Sequence, residues 1–143
     1  KHNLIGSKVE LEITESLVMT NPKKAIELLH RWRELGCHIA VDDFGTGYSS
    51  LAYLRHFPLD RLKIDKTLIT DRAIVKAVIE LAHSFGMKTV AEGVEDSEVL
   101  AMLKSMGCDL IQGYFYSKPL PLDALISYLK NPLVAATGEP IKI

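Results

Sequence analysis

The scarcities in this chain set the first limits. Cysteine occurs twice in 143 residues, at Cys37 and Cys108, each directly after a glycine at the entry to an apolar run. Two thiols so placed do not make a disulfide framework; they read as small buried residues of a reducing compartment, with the cytoplasm as the default. An excess of one charge is missing too. Seventeen Lys and Arg against 18 Asp and Glu leave a formal net charge of −1, which offers no basic footprint for a nucleic acid or a membrane surface. No apolar run reaches the roughly 18 residues of a membrane-spanning helix, and no signal peptide is visible. The histidines His2, His30, His38, His56 and His83 fall on helices or strand starts without metal-ligand spacing, so a zinc reading fails. No Gly-x-Ser-x-Gly elbow and no P-loop spacing occurs. What remains, 48% hydrophobic and 24% charged, is the composition of a globular domain long enough for a real core.

The pattern that is present alternates. Lys8–Thr14 sets Val9, Leu11 and Ile13 on one face and Glu10, Glu12 and Thr14 on the other, which is a strand. Asn21-Pro22 then opens a helix whose apolar stripe is Ala25, Ile26, Leu28, Leu29, Trp32 and Leu35, closed by Gly36. His38–Val41 reads as a strand, Tyr48–Phe57 as a short helix stopped by Pro58, and Arg61–Asp65 as a third strand. Ala73–Phe85 is helical up to Gly86, Lys88–Ala91 extended, and Ser97–Met106 helical up to Gly107. Leu110–Tyr114 is a fifth strand and Pro121–Leu129 a last helix. Beyond Asn131-Pro132 the pattern fades, so 1–130 reads as one domain and 131–143 as a tail or linker.

Strands alternating with helices predict an α/β fold with a parallel sheet and helical crossovers. A weak repeat agrees: Gly36, Gly86 and Gly107 each precede a polar residue by 5 or 6 positions, at Asp42, Glu92 and Gln112, and Gly6 and Glu12 keep the same spacing. Ligands of such folds bind outside the carboxyl ends of the strands. Glu12, Asp42, Asp43, Lys63, Asp65, Glu92 and Gln112 are therefore expected on one rim. A doubly wound sheet and a partial (β/α) barrel both fit; the polar face of the first and third strands favours the barrel.

At the centre of that rim is Ile39–Leu51, IAVDDFGTGYSSL. Adjacent carboxylates repel unless a cation stands between them, and glycines just after them let main-chain N–H groups approach a ligand. A strand end with an acidic helix cap accounts for Asp42-Asp43 alone about equally well. Carboxylates at three strand ends, Glu12, Asp42/Asp43 and Glu92, shift the balance toward hard divalent cations such as Mg²⁺ or Mn²⁺. Two such ions about 3.5–4 Å apart activate a water and stabilise the leaving oxygen of a phosphodiester, with Lys63 holding the water or neutralising charge. The alternative for Lys63, less favoured, is an ion pair with Asp65. Glu15 and Glu95 each suit the first turn of a helix, favoured by its dipole, and Glu95 is read that way.

These segments carry a resemblance. Glu12-Ile13-Thr14-Glu15-Ser16, Asp42 through Ser50, Lys63-Ile64-Asp65, Ala91-Glu92-Gly93-Val94-Glu95 and Gln112-Gly113-Tyr114 resemble, in order and over almost the whole chain, the motifs of the EAL domain, a family of bacterial cyclic di-GMP phosphodiesterases on a modified TIM barrel. The resemblance implies a metal-dependent enzyme that hydrolyses cyclic di-GMP to linear pGpG with two Mg²⁺ or Mn²⁺ ions. It implies Glu12 and Asp42 as ligands of one ion, Asp42 and Asp43 on the second, and Lys63 on the hydrolytic water. Glu92 joins the metal site and Gln112 the same pocket, with Asp65 a further candidate at the second ion or the substrate. Glu15 is implied to brace the loop Phe44–Ser50, which in the family couples dimer contacts to the metal site, so a homodimer and attached sensory or cyclase domains are further expectations. The family's first three strands, with the Glu-Ala-Leu glutamate and an asparagine ligand, have no counterpart here, and the segment from Asp65 to Ala73 is short. The 143 residues are therefore expected not to catalyse alone. A non-catalytic cyclic di-GMP receptor is the alternative reading, and a dimerising fragment a third.

Overall fold

The computed structural model describes residues 5–45 and 54–130. Its five strands pair in parallel and stand in chain order: β1 (Glu10–Thr14), β2 (His38–Phe44), β3 (Arg61–Ile64), β4 (Lys88–Ala91) and β5 (Leu110–Ile111). A doubly wound sheet reverses its strand order at a switch point. Here nothing reverses, so the sheet is an arc of a (β/α) barrel rather than an open nucleotide-binding sheet. The helices are α1 (Glu15–Thr20), α2 (Pro22–Glu34), α3 (Arg72–Ser84), α4 (Ser97–Ser105) and α5 (Leu122–Lys130).

Alternation along the strands sorts the residues onto two faces. Ile13, Ile39, Val41, Leu62, Ile64 and Ala91 lie under the helices and join one core with Leu29, Val75, Ile79, Leu100 and Leu103. Fully burying such a side chain is worth about 1.5–3 kcal/mol. On the other face the register places Ala40 of β2 opposite both Glu12 of β1 and Arg61 of β3. A methyl group leaves room for side chains to meet across it. Arg61 accordingly pairs with Glu10 and Lys63 with Glu12, two storeys of charge on the concave side, as the polar alternation of the sequence anticipates.

Two stitches of the same design tie the opposite end of the sheet. Asp60, just before β3, accepts from Ile39 N of β2 at 2.9 Å and from Arg33 at the end of α2 at 2.9 Å. Asp109, just before β5, accepts from Thr89 N of β4 at 2.8 Å and pairs with His83 at the end of α3 at 2.8 Å.

Helix ends follow the expected chemistry. Asn21, Asp71 and Asp96 cap α2, α3 and α4 through their side chains, and Gly36, Gly86 and Gly107 take φ of 84°, 75° and 83° just past the helices. Several boundaries differ from the sequence reading. Residues 6–8 form a 3₁₀ turn, so β1 starts two residues late. β2 runs on through Asp43 to Phe44. β5 stops at Ile111 because the chain turns over Val94 from Gly113 onward, with Val94 N bonding Gln112 O at 3.2 Å and Phe115 N bonding Val94 O at 2.9 Å. Helix α1 follows β1 with no breaker between them, and its six residues are too few to show a period. The cysteines are free and half-buried rather than buried. Most of the expected helix Tyr48–Phe57 and the tail 131–143 lie outside the described residues; Leu54 and Phe57, at that helix's end, are core residues. No described helix is long and apolar enough to cross a membrane.

Candidate metal centre

Lys63 is the focus of the carboxyl-end rim. Its side chain rises from β3 into the concave face and is 5% exposed. Its ammonium meets Glu12 Oε2 at 2.9 Å, Asp42 Oδ1 at 3.1 Å and Glu92 Oε1 at 2.9 Å. Three strands and the residue after a fourth thereby share one cationic nitrogen, and each of its three donors has a carboxylate to itself. Burial pulls the lysine pKa down, but the bonds from Glu92, Glu12 and Asp42 outweigh it and hold the pKa above the ordinary lysine range. The alternative reading, a pairing of Lys63 with Asp65, is not what the structure shows. Asp65 instead accepts from Thr67 N at 2.9 Å and Thr67 Oγ1 at 2.5 Å, bonds that hold its pKa below the ordinary aspartate value.

Glu92 stays in line because its N–H continues the ladder to Ile64 O at 3.1 Å. Asp42 also accepts from Asp43 N at 3.0 Å. Asp43 is exposed and holds φ at 54°, beside the register shift between Val41 and Phe44. A non-glycine residue in that region is uncommon and costs about 1 kcal/mol or more. The irregularity redirects the chain at the point where the two acids stand side by side.

Glu15 opens α1 as the dipole argument expects, yet it is 3% exposed, and its Oε2 accepts from Gly45 N at 3.0 Å. Its other oxygen, Oε1, is buried without a partner among the described residues. Glu15 thereby holds the main chain just after the acidic pair. The remainder of the loop Phe44–Ser50 lies outside the described residues.

Gln112 sits one residue past β5, where its N–H bonds Ala91 O at 2.8 Å. It lines a cleft of about 530 Å³ together with Lys66, Glu95, Tyr114, Lys118 and Tyr128 of α5. Glu95 corrects the sequence reading: α4 starts at Ser97 with Asp96 as its cap, so Glu95 precedes the helix and faces the cleft. Lys66 and Lys118 carried no signal in the sequence beyond their nearness to Asp65 and Gln112, and Tyr128 carried none. Lys118 rests 5.6 Å from the centre of the Tyr114 ring.

The donor set suits a divalent cation. Three carboxylate oxygens, from β1, β2 and the residue after β4, lie within 3.1 Å of one positive centre, and hard oxygen donors are what Mg²⁺ and Mn²⁺ select. Among the described residues no three His, Cys, Asp or Glu side chains stand as a ligand set for an ion; the positive centre between Glu12, Asp42 and Glu92 is the Lys63 ammonium.

Comparison with known proteins supplies the context. The family model described as EAL domain matches residues 1–119. The cyclic di-GMP phosphodiesterase NbdA of Pseudomonas aeruginosa is 50% identical over 129 residues, covering 85% of this chain and 16% of that protein. Among solved structures, that of the PaMucR phosphodiesterase in complex with c-di-GMP superposes with a TM-score of 0.84 at 39% identity, over 87% of this chain and 53% of the other. BlrP1 of Klebsiella pneumoniae, solved with cyclic di-GMP and manganese, superposes with a TM-score of 0.74 at 37% identity, over 81% of this chain and 31% of that one. The same protein is also described in complex with calcium. The chain thus spans about a sixth of the NbdA relative and about half of the PaMucR structure.

Proposed function

The chain belongs to the EAL domain family, and from that premise we propose that it carries the hydrolytic rim of a cyclic di-GMP phosphodiesterase. The reaction is water attack on one phosphodiester, opening the ring to linear pGpG. The observation that carries the proposal is the convergence of Glu12, Asp42 and Glu92 on one cationic centre at the strand ends. Glu12, Asp42 and Glu92 would hold one divalent ion, Mg²⁺ or Mn²⁺, with Asp43 contributing to a second beside Asp42. When bound, such ions lower the pKa of water and stabilise the leaving oxygen.

The chain's own groups have definite tasks in this reading. Lys63 is charged at neutral pH, because its carboxylate partners hold its pKa high, so it donates hydrogen bonds and does not act as a base. It orients the attacking water and offsets charge on the phosphate. Glu15 fixes Gly45 N and through it the position of Asp42 and Asp43. Gln112, with Tyr114 and Lys66 in the adjoining cleft, offers amide, aromatic and cationic surface of the kinds that recognise a base and a phosphate.

The test is hydrolysis of cyclic di-GMP by the full-length protein with Mg²⁺ or Mn²⁺. Asp42→Asn is expected to lower turnover by about 10²-fold or more while leaving the fold intact. Unchanged turnover in that variant would remove the two-ion reading. Binding of cyclic di-GMP with no turnover by the wild type would identify a receptor instead.

A further inference from the structure

We propose that Glu10 is a positioning residue of the rim: by holding the Arg61 guanidinium one step below, it leaves the Glu12 carboxylate to Lys63. The observation behind this is a step in the pairing. The register sets Glu12 of β1 and Arg61 of β3 level with each other, one on each side of Ala40. Ala40 is fully buried and puts only a methyl group between them. Two strand spacings separate the level positions, about 10 Å, a gap that an arginine and a glutamate span together. The ion pairs are nevertheless not level. Arg61 meets Glu10, two residues nearer the start of β1, and Lys63, two residues further along β3, meets Glu12.

The count of charges and donors decides between the two pairings. A guanidinium grips a carboxylate with a two-pronged geometry that an ammonium lacks, so Arg61 level with Glu12 is a rival to Lys63 for it. While Glu10 is present, the level pairing is costly. It would strand the Glu10 carboxylate, whose side chain is 26% exposed. It would also leave one donor of the buried Lys63 ammonium without its partner. Without the Glu10 carboxylate the balance reverses. Arg61 then becomes the stranded charge, while Lys63 keeps Asp42 and Glu92 even after giving up Glu12. The consequence for hydrolysis rests on the reading above, in which Glu12 and Lys63 act at the rim; the pairing itself does not depend on it.

The test compares Glu10→Met, which keeps the side-chain length and removes the acceptor, with Arg61→Met and with the double variant, all in the full-length protein. Glu10→Met should lose about tenfold or more in turnover of cyclic di-GMP, and its crystals, grown without divalent ions, should show Arg61 on Glu12. Arg61→Met should stay within about threefold of wild type. The double variant should return to that level with Glu12 back on Lys63, because no rival remains. A merely structural ion pair predicts otherwise: Arg61→Met would lose as much as Glu10→Met, and the double variant would not recover. That result would overturn the proposal, as would Arg61 standing clear of Glu12 in Glu10→Met. Should Glu10→Met not fold, the double variant decides: turnover close to wild type supports the proposal, and a tenfold loss or a second failure to fold overturns it. A wild type without turnover would overturn the phosphodiesterase reading instead, and the place of Arg61 in the Glu10→Met crystals would then decide the pairing.

Discussion

Single residues at the rim divide into those that hold charge and those that hold the chain. Glu12 and Glu15 are three positions apart, yet Glu12 reaches Lys63 and Glu15 reaches a main-chain N–H. Glu15→Ala should therefore lower hydrolysis through the loop after Asp43, with a smaller loss of Mn²⁺ affinity than Glu12→Ala causes. Equal affinity losses by calorimetry would show Glu15 to be a ligand. Gly113 is constrained by space: a Cβ there would lie 2.1 Å from Val94 O and 2.4 Å from Val94 N, both main-chain atoms that cannot swing aside. Gly113→Ala should cost about 1–3 kcal/mol in urea unfolding, and it should disturb the Gln112 side of the cleft. A midpoint within error of wild type would show that β4 and β5 separate freely beyond their strands.

At the scale of elements, the two aspartate stitches explain how short strands stay in register. In the second, burial raises the Asp109 pKa, but the bonds from Thr89 N–H, His83 and the Thr89 hydroxyl outweigh it and hold the pKa below the ordinary 3.8. A depressed folded-state pKa contributes stability above the unfolded value, which is lost as pH falls through the folded one. Wild type should therefore exceed Asp109→Asn in stability at neutral pH, and the gap should narrow as the pH drops below 3.8. A gap constant from pH 7 to pH 3 would mean that the carboxylate's charge plays no part. The elements also show what a sequence can disclose. Strands and helices were legible wherever a period ran for several residues, as in Glu10–Thr14 and Arg72–Ser84, and the acids at strand ends followed from counting after each glycine. The six residues of α1 were too few for a period. The true partners of Lys63 were hidden because they come from 51, 21 and 29 positions away, at Glu12, Asp42 and Glu92; its sequence neighbour Asp65 was satisfied locally by Thr67. Asp60 and Asp109 gave no signal for the same reason: each serves a strand 20 or 21 residues earlier.

At the scale of the molecule, five parallel strands in chain order make an arc with β1 and β5 at its ends. Exposed strand edges invite pairing with other chains, and α5 buries none of its residues while Leu122 and Leu129 are 70% and 51% exposed. Residues 1–143 produced alone are accordingly expected to associate and to show no turnover, with both corrected in the full-length protein. A monodisperse, fully active preparation of residues 1–143 would refute that expectation. The arc matters to the proposed function because it brings Glu12 of β1, Asp42 of β2 and Glu92, just past β4, to one point. The most direct test of that claim is the anomalous diffraction of Mn²⁺ in crystals of the full-length protein. The account predicts a manganese peak within coordination distance of carboxylate oxygens of Glu12, Asp42 and Glu92. A peak bound elsewhere, or none at the rim at saturating Mn²⁺, would contradict it.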